Sequence, residues 1–153
     1  MIVSKHNGFT LVELVTVVVL IGIVTAVAGP RFFNMEAFQT RGYADELASS
    51  LRYAQRIAIA SNCNVRFRIT AGGYDAFQRN VQATCRTGSA WNRPVRRADG
   101  VVLAGVRPNG VAATPAIFQF SNTGALVVPT SPAVAVGQFF VTVDPVSGLV
   151  SVQ

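Results

Sequence analysis

The chain has 153 residues, half of them hydrophobic and 13% charged, with 13 basic against seven acidic side chains and a formal net charge of +6. This composition excludes long disorder, which needs low hydrophobicity and dense charge, and it suffices for one modest packed core. A lone histidine, His6, and acids at no ligand spacing exclude a Ser-His-Asp or Cys-His arrangement, the common zinc sites and a glycosidase carboxylate pair, so no enzyme, cofactor or metal is expected.

The first organised stretch is Phe9 to Ala28, twenty residues in which Glu13 is the only charge. As a helix it would reach roughly 30 Å, the thickness of a bilayer core, and its Val and Ile content suits lipid better than water. The run is expected to be membrane-inserted. An acid at the centre of such a helix costs about 2.5–3.5 kcal/mol, and less near an end. Glu13 lies one turn from the start, so two readings stay open. It is a tolerated interfacial carboxylate, or it requires a cation once the helix leaves lipid for a protein assembly. A rival reading takes Ala26-Val27-Ala28 as a secretory cleavage site that releases a soluble periplasmic domain from Gly29. Pro30 beside the scissile bond and Glu13 at the head of the apolar region count against it.

Gly29-Pro30 predicts a helix break. The helical period then resumes over residues 34–61. Tyr43, Leu47, Leu51, Ala54 and Ala58 form a stripe with Phe38 and Ile57 close to it, and Ser61-Asn62 ends the helix. From Cys63 the period becomes two. Cys63, Val65, Phe67 and Ile69 alternate with Asn64, Arg66 and Arg68, and Thr70-Ala71-Gly72-Gly73 turns the chain into a returning strand, Tyr74 to Gln78. Arg79 to Gly100 reads as a polar loop. Further strands are expected at 101–106, 116–120, 125–128, 139–143 and 149–152, with turns at Asn122-Thr123-Gly124 and Asp144-Pro145-Val146-Ser147-Gly148. The fold class is α+β, a long N-terminal helix packed on an antiparallel sheet.

Cys63 and Cys85, after an export-type N-terminus, are expected to form a disulfide, although two buried thiols are the plain alternative. The basic skew is concentrated, with ten arginines and only Asp75 and Asp99 as acids between Arg52 and Arg107. Arg86, Arg93, Arg96 and Arg97 fall in one expected loop with Trp91. Phosphate contact and base stacking are one use for such a set. A solvated basic face against acidic neighbours or lipid headgroups is the other.

Gly8-Phe9-Thr10-Leu11-Val12-Glu13-Leu14, after a leader carrying Lys5, resembles the class III signal of type IV pilins and type II secretion pseudopilins. The resemblance implies cleavage by prepilin peptidase between Gly8 and Phe9, methylation of Phe9, and pairing of Glu13 with the amino terminus of a neighbouring subunit. It divides the chain into a leader (1–8), a transmembrane and assembly helix (9–29), its amphipathic continuation (30–62) and a β-rich periplasmic domain (63–153). Pro30-Arg31-Phe32-Phe33, Leu51 to Arg56, Ser61 to Val65 and Phe118 to Gly124 resemble minor pilins of the GspH/FimT type, and within them the MshC branch of mannose-sensitive haemagglutinin pili. The resemblance implies a structural subunit held in the inner membrane and then built into a filament, in initiation or at its tip. Its implied partners are prepilin peptidase, other major and minor pilins, an inner-membrane assembly platform and lipid. Members of the FimT branch that bind DNA use a C-terminal Gly-Arg-x-Arg motif. Gly148-Leu149-Val150-Ser151 stands here in its place without either arginine, which weighs against nucleic acid as a partner.

Overall fold

A computed structural model describes residues 9–28, 35–79, 85–87, 90–128 and 132–153, in two compact units divided at Met35 and Glu36. The first unit contains helix α1, Leu11–Ala28. Thr10 caps it, its hydroxyl accepting the Glu13 backbone N–H at 3.2 Å. Thr10 and Glu13 therefore stand at the spacing of a capping box. Thr16 and Thr25 donate their hydroxyls back to the carbonyls of Val12 and Ile21, at 2.7 and 2.6 Å, so the two interior threonines bring no unpaired hydroxyl donor into the apolar helix. The expected break at Gly29-Pro30 lies outside the described residues.

Helix α2, Met35–Ser61, belongs to the second unit from Glu36 onward. The predicted stripe of Tyr43, Leu47, Leu51, Ala54 and Ala58 is buried, with Thr40, Ala44, Ala48 and Ser50 beside it. Phe38 departs from the expectation. It is 77% exposed, a turn before the first aromatic residue that reaches the sheet. The helix ends because Asn62 adopts a left-handed φ of 54°. This turns the Asn62 N–H onto the Ile59 carbonyl and the Cys63 N–H onto that of Ala58, a Schellman closure of otherwise orphaned carbonyls.

Among the described residues nine strands follow: β1 Val65–Thr70, β2 Gly73–Arg79, β3 Trp91–Pro94, β4 Ala104–Val106, β5 Ala116–Phe120, β6 Leu126–Val128, β7 Ala133–Val136, β8 Phe139–Val143 and β9 Val150–Val152. They form two antiparallel sheets where one was expected. The larger has the order β3-β2-β1-β5-β6, with β4 also on β2, and the smaller is β7-β8-β9. β3 and β4 share one edge of β2, β3 along Phe77–Arg79 and β4 along Gly73–Asp75. Gly73 has φ 146°, and a β-carbon there would collide with the Gly105 carbonyl, so glycine lets β4 approach this hairpin.

Two strands correct the sequence reading. β3 lies inside the expected Arg79–Gly100 loop, because its Trp-Asn-Arg-Pro carries no alternating apolar signal. β7 was not foreseen, since Ala133-Val134-Ala135-Val136 is short and its small residues mark a face weakly. The strand expected at 101–106 is reduced to Ala104–Val106 and a single bridge from Val102 to Arg96.

Alternation along β1 and β2 sends Val65, Phe67, Ile69, Tyr74 and Ala76 into the core, where they meet Tyr43, Leu47 and Leu51 of α2 together with Phe118 and Phe120 of β5. Val134, Val136, Val141, Val143 and Val150 of the smaller sheet join the same core. Each fully buried large side chain contributes about 1.5–3 kcal/mol relative to exposure. Truncating Leu47, which has no exposed surface, to alanine would cost about 2–5 kcal/mol.

Candidate functional site

The outer face of the larger sheet is set by the residues that alternation turns away from the core. On β1 these are Arg66 and Arg68, opposite Phe77 and Asp75 of β2. Arg68 closes a fork on Asp75, with nitrogen–oxygen distances of 3.0 and 2.6 Å, and this bond holds the Arg68 guanidinium more firmly protonated than usual. Arg79, at the end of β2, pairs across strands with Trp91. The indole of Trp91 receives two guanidinium groups, with Arg66 at 4.4 Å and Arg79 at 4.5 Å from the ring centroid. Both distances fit cation–π attraction. Burial first, then the neighbouring charges of Arg79 and Arg68, makes Arg66 easier to deprotonate than a free arginine.

Cys63 and Cys85 are joined by a disulfide with Cα atoms 5.1 Å apart. The bridge brings residues 85–87 beside the start of β1. The Asn64 N–H donates to the Cys85 carbonyl, and the Asn64 side chain donates to the Arg86 carbonyl at 2.9 Å. Arg79 donates to that same carbonyl at 2.5 Å, so the covalent link, the asparagine and the cation–π pair are connected. Asn122 completes the arrangement by donating its backbone N–H to Asn64 and its side chain to Asn62.

The four arginines singled out from sequence do not gather around Trp91. Arg86 lies by the disulfide, and Arg93 pairs with Gln78 on the sheet edge. Arg93 and Arg96 line a cleft with Ile57 and Gln78, while Arg97 lines another with Ser49, Ser50 and Tyr53. Arg66 and Arg79, which do meet Trp91, were not singled out. The period-two pattern of β1 puts Arg66 on the polar face, but the strand that brings Trp91 there carries no local signal.

At the N-terminus, Phe9 is exposed and Glu13 sits in the first turn of α1, where a carboxylate suits the positive end of the helix dipole. Gly8 lies outside the described residues. Leu11, Val12, Leu14, Val18 and Ile21 are all exposed, so α1 is apolar around its circumference, as helices surrounded by lipid or protein are. Among the described residues no helix is long and apolar enough to cross a membrane. The 18 residues of α1 rise about 27 Å, short of a core of roughly 30 Å. Among the described residues no group of three or more His, Cys, Asp or Glu side chains could hold a metal ion.

Comparison with known proteins places these features. Residues 3–29 match the prokaryotic N-terminal methylation motif, and residues 43–144 match the type II transport protein GspH family. The chain is also 43% identical over 54 residues to the type IV narrow pilus major component PilA5 of Thermus thermophilus. That stretch covers 35% of this chain and 47% of the relative, so the match spans about half the relative's length. No solved structure matches. The GspH match covers more than half of the chain, and with the methylation motif in front of it the chain belongs to the GspH family of the type IV pilins and pseudopilins.

Proposed function

We propose that the protein is a minor structural subunit of a type IV pilus-like filament, acting in its initiation or at its tip and similar to MshC-type minor pilins. Prepilin peptidase removes residues 1–8 and methylates Phe9. The chain waits in the inner membrane, anchored once through residues 9–29, with its C-terminal domain (63–153) in the periplasm beyond the amphipathic helix (30–62). The assembly platform then moves the apolar helix from lipid into a bundle of other pilins. Glu13 pairs with the positive amino terminus of a neighbour, which offsets its desolvation and sets the axial register. Head-to-tail contacts of this kind are heterologous and build an open filament.

The observation that carries this reading is α1 itself, apolar on all sides with Glu13 as its single charge. Its apolar surface suits lipid and helix bundle alike, and in a bundle the amino terminus of a neighbour supplies a cation for Glu13. The match to a type II transport family favours one second reading, a pseudopilin of a type II secretion system. Intact mass and the N-terminal peptide of the protein from its native membrane test both. A chain starting at methyl-Phe9 is expected, and one starting at Gly29 would exclude filament assembly through this helix. Co-purification with pilus or with secretion components then separates the two machines.

A further inference from the structure

We infer that Arg66 and Arg79, held against Trp91, form a docking surface for carboxylates on a neighbouring filament subunit, an inference that rests on the assembly reading above. All seven side-chain acids lie among the described residues, and there only Arg41 and Arg68 are ion-paired, with Asp45 and Asp75. Neither Arg66 nor Arg79 has a carboxylate partner, and the undescribed residues 80–84 and 88–89 contain no acid to supply one. The Nε atoms of both are buried without a hydrogen-bond partner.

These two cations are stiffened before any partner arrives. The indole packs against both guanidinium groups, the Arg86 carbonyl anchors Arg79, and the disulfide with Asn64 holds that carbonyl in place. Ordering long side chains is a large part of the cost of binding, and here folding has already met it. The face also shows what such groups take, since Arg68 beside them grips the Asp75 carboxylate as a fork. Nucleic acid fits less well. Trp91 already carries two guanidinium groups, with which a stacking base would have to compete, and Asp75 interrupts the positive track that a phosphate backbone follows.

The test uses the full chain in detergent and three immobilised probes: poly-L-glutamate, a DNA duplex and phosphatidylglycerol vesicles. We expect salt-sensitive binding to poly-L-glutamate that weakens at least tenfold in Arg66→Gln/Arg79→Gln. Binding should change less than threefold in Arg93→Gln/Arg96→Gln, which removes equal charge elsewhere. Arg79→Lys keeps the charge, loses the planar fork and should weaken binding severalfold, which gives a second readout if the double variant folds poorly. Equal losses in the two double variants would reduce the surface to general positive charge and overturn the inference. No binding to poly-L-glutamate, or tighter binding to DNA or vesicles at matched salt, would also overturn it. The N-terminal mass is independent of all these outcomes, so failure here leaves the assembly reading standing.

Discussion

The side-chain amide of Gln55 occupies the space that a β-carbon at Gly148 would need. Its nitrogen donates to the carbonyls of Gly124 at 3.0 Å and Ser147 at 2.9 Å, so one α2 side chain ties together the β5–β6 and β8–β9 turns. Next to it, Arg52 donates to the Val150 carbonyl at 2.9 Å on the open edge of β9. The Leu51 to Arg56 stretch thus fastens the smaller sheet to the helix.

Gly148→Ala is expected to cost at least about 2 kcal/mol, because φ is +67° and the added carbon would meet both Gln55 and the Gly124 carbonyl. Gln55→Ala should cost about 1–2 kcal/mol, the loss of two donated hydrogen bonds. Urea unfolding of both variants checks the order. A smaller loss for Gly148→Ala than for Gln55→Ala would mean that the turn readjusts.

Asn62 permits a test in which two small substitutions part company. Asn62→Gly keeps the left-handed closure of α2, loses only the bond from Asn122 and should shift stability by a few tenths of a kcal/mol. Asn62→Ala keeps the β-carbon at φ 54° but loses the short polar side chain that makes asparagine tolerant of this conformation, along with the bond from Asn122, and should lose about 1–2 kcal/mol. Thermal melts that rank alanine equal to glycine would remove the closure as the reason for asparagine.

Cys63→Ser/Cys85→Ser opens a loop whose ends are 22 positions apart and should cost about 3 kcal/mol by the loop-entropy estimate. The loss should be local as well as global, with faster hydrogen exchange at the Asn64 N–H, which donates to the Cys85 carbonyl. Unchanged protection of that amide would show that the asparagine bonds hold residues 85–87 without the bridge.

Alkaline pH supplies a fourth prediction. Burial, reinforced by its hydrogen bond to Glu46, pushes the Tyr74 hydroxyl up to about 12, and burial raises Tyr43 too. A folded-state pKa above the unfolded value means that the native state keeps the proton the unfolded state releases. The stabilisation is therefore complete below about pH 10 and is lost as pH rises toward 12. Tyr74→Phe should flatten that decline, leaving the smaller share from Tyr43. Stability followed by circular dichroism between pH 9 and 12 checks it, and an identical slope in the variant would acquit Tyr74.

The stripe of Tyr43, Leu47, Leu51, Ala54 and Ala58, the alternation along Val65, Phe67 and Ile69, and the signal around Phe9 and Glu13 were all legible in sequence. Each is written into neighbouring residues by the helical or strand period, or into a contiguous motif. β3, β7 and the division into two sheets were not, because Trp91–Pro94 and Ala133–Val136 become strands through the edges they join rather than through their own pattern. Trp91 shows the difference most plainly. Reading along the chain puts it among Arg86, Arg93, Arg96 and Arg97. Cross-strand register puts it against Arg79, its partner on β2, and Arg66, one strand farther. Local periodicity decides which side of a strand a residue occupies, while its neighbours on that side depend on which strands pair and in what register, and that is settled only when distant segments pack around a common core.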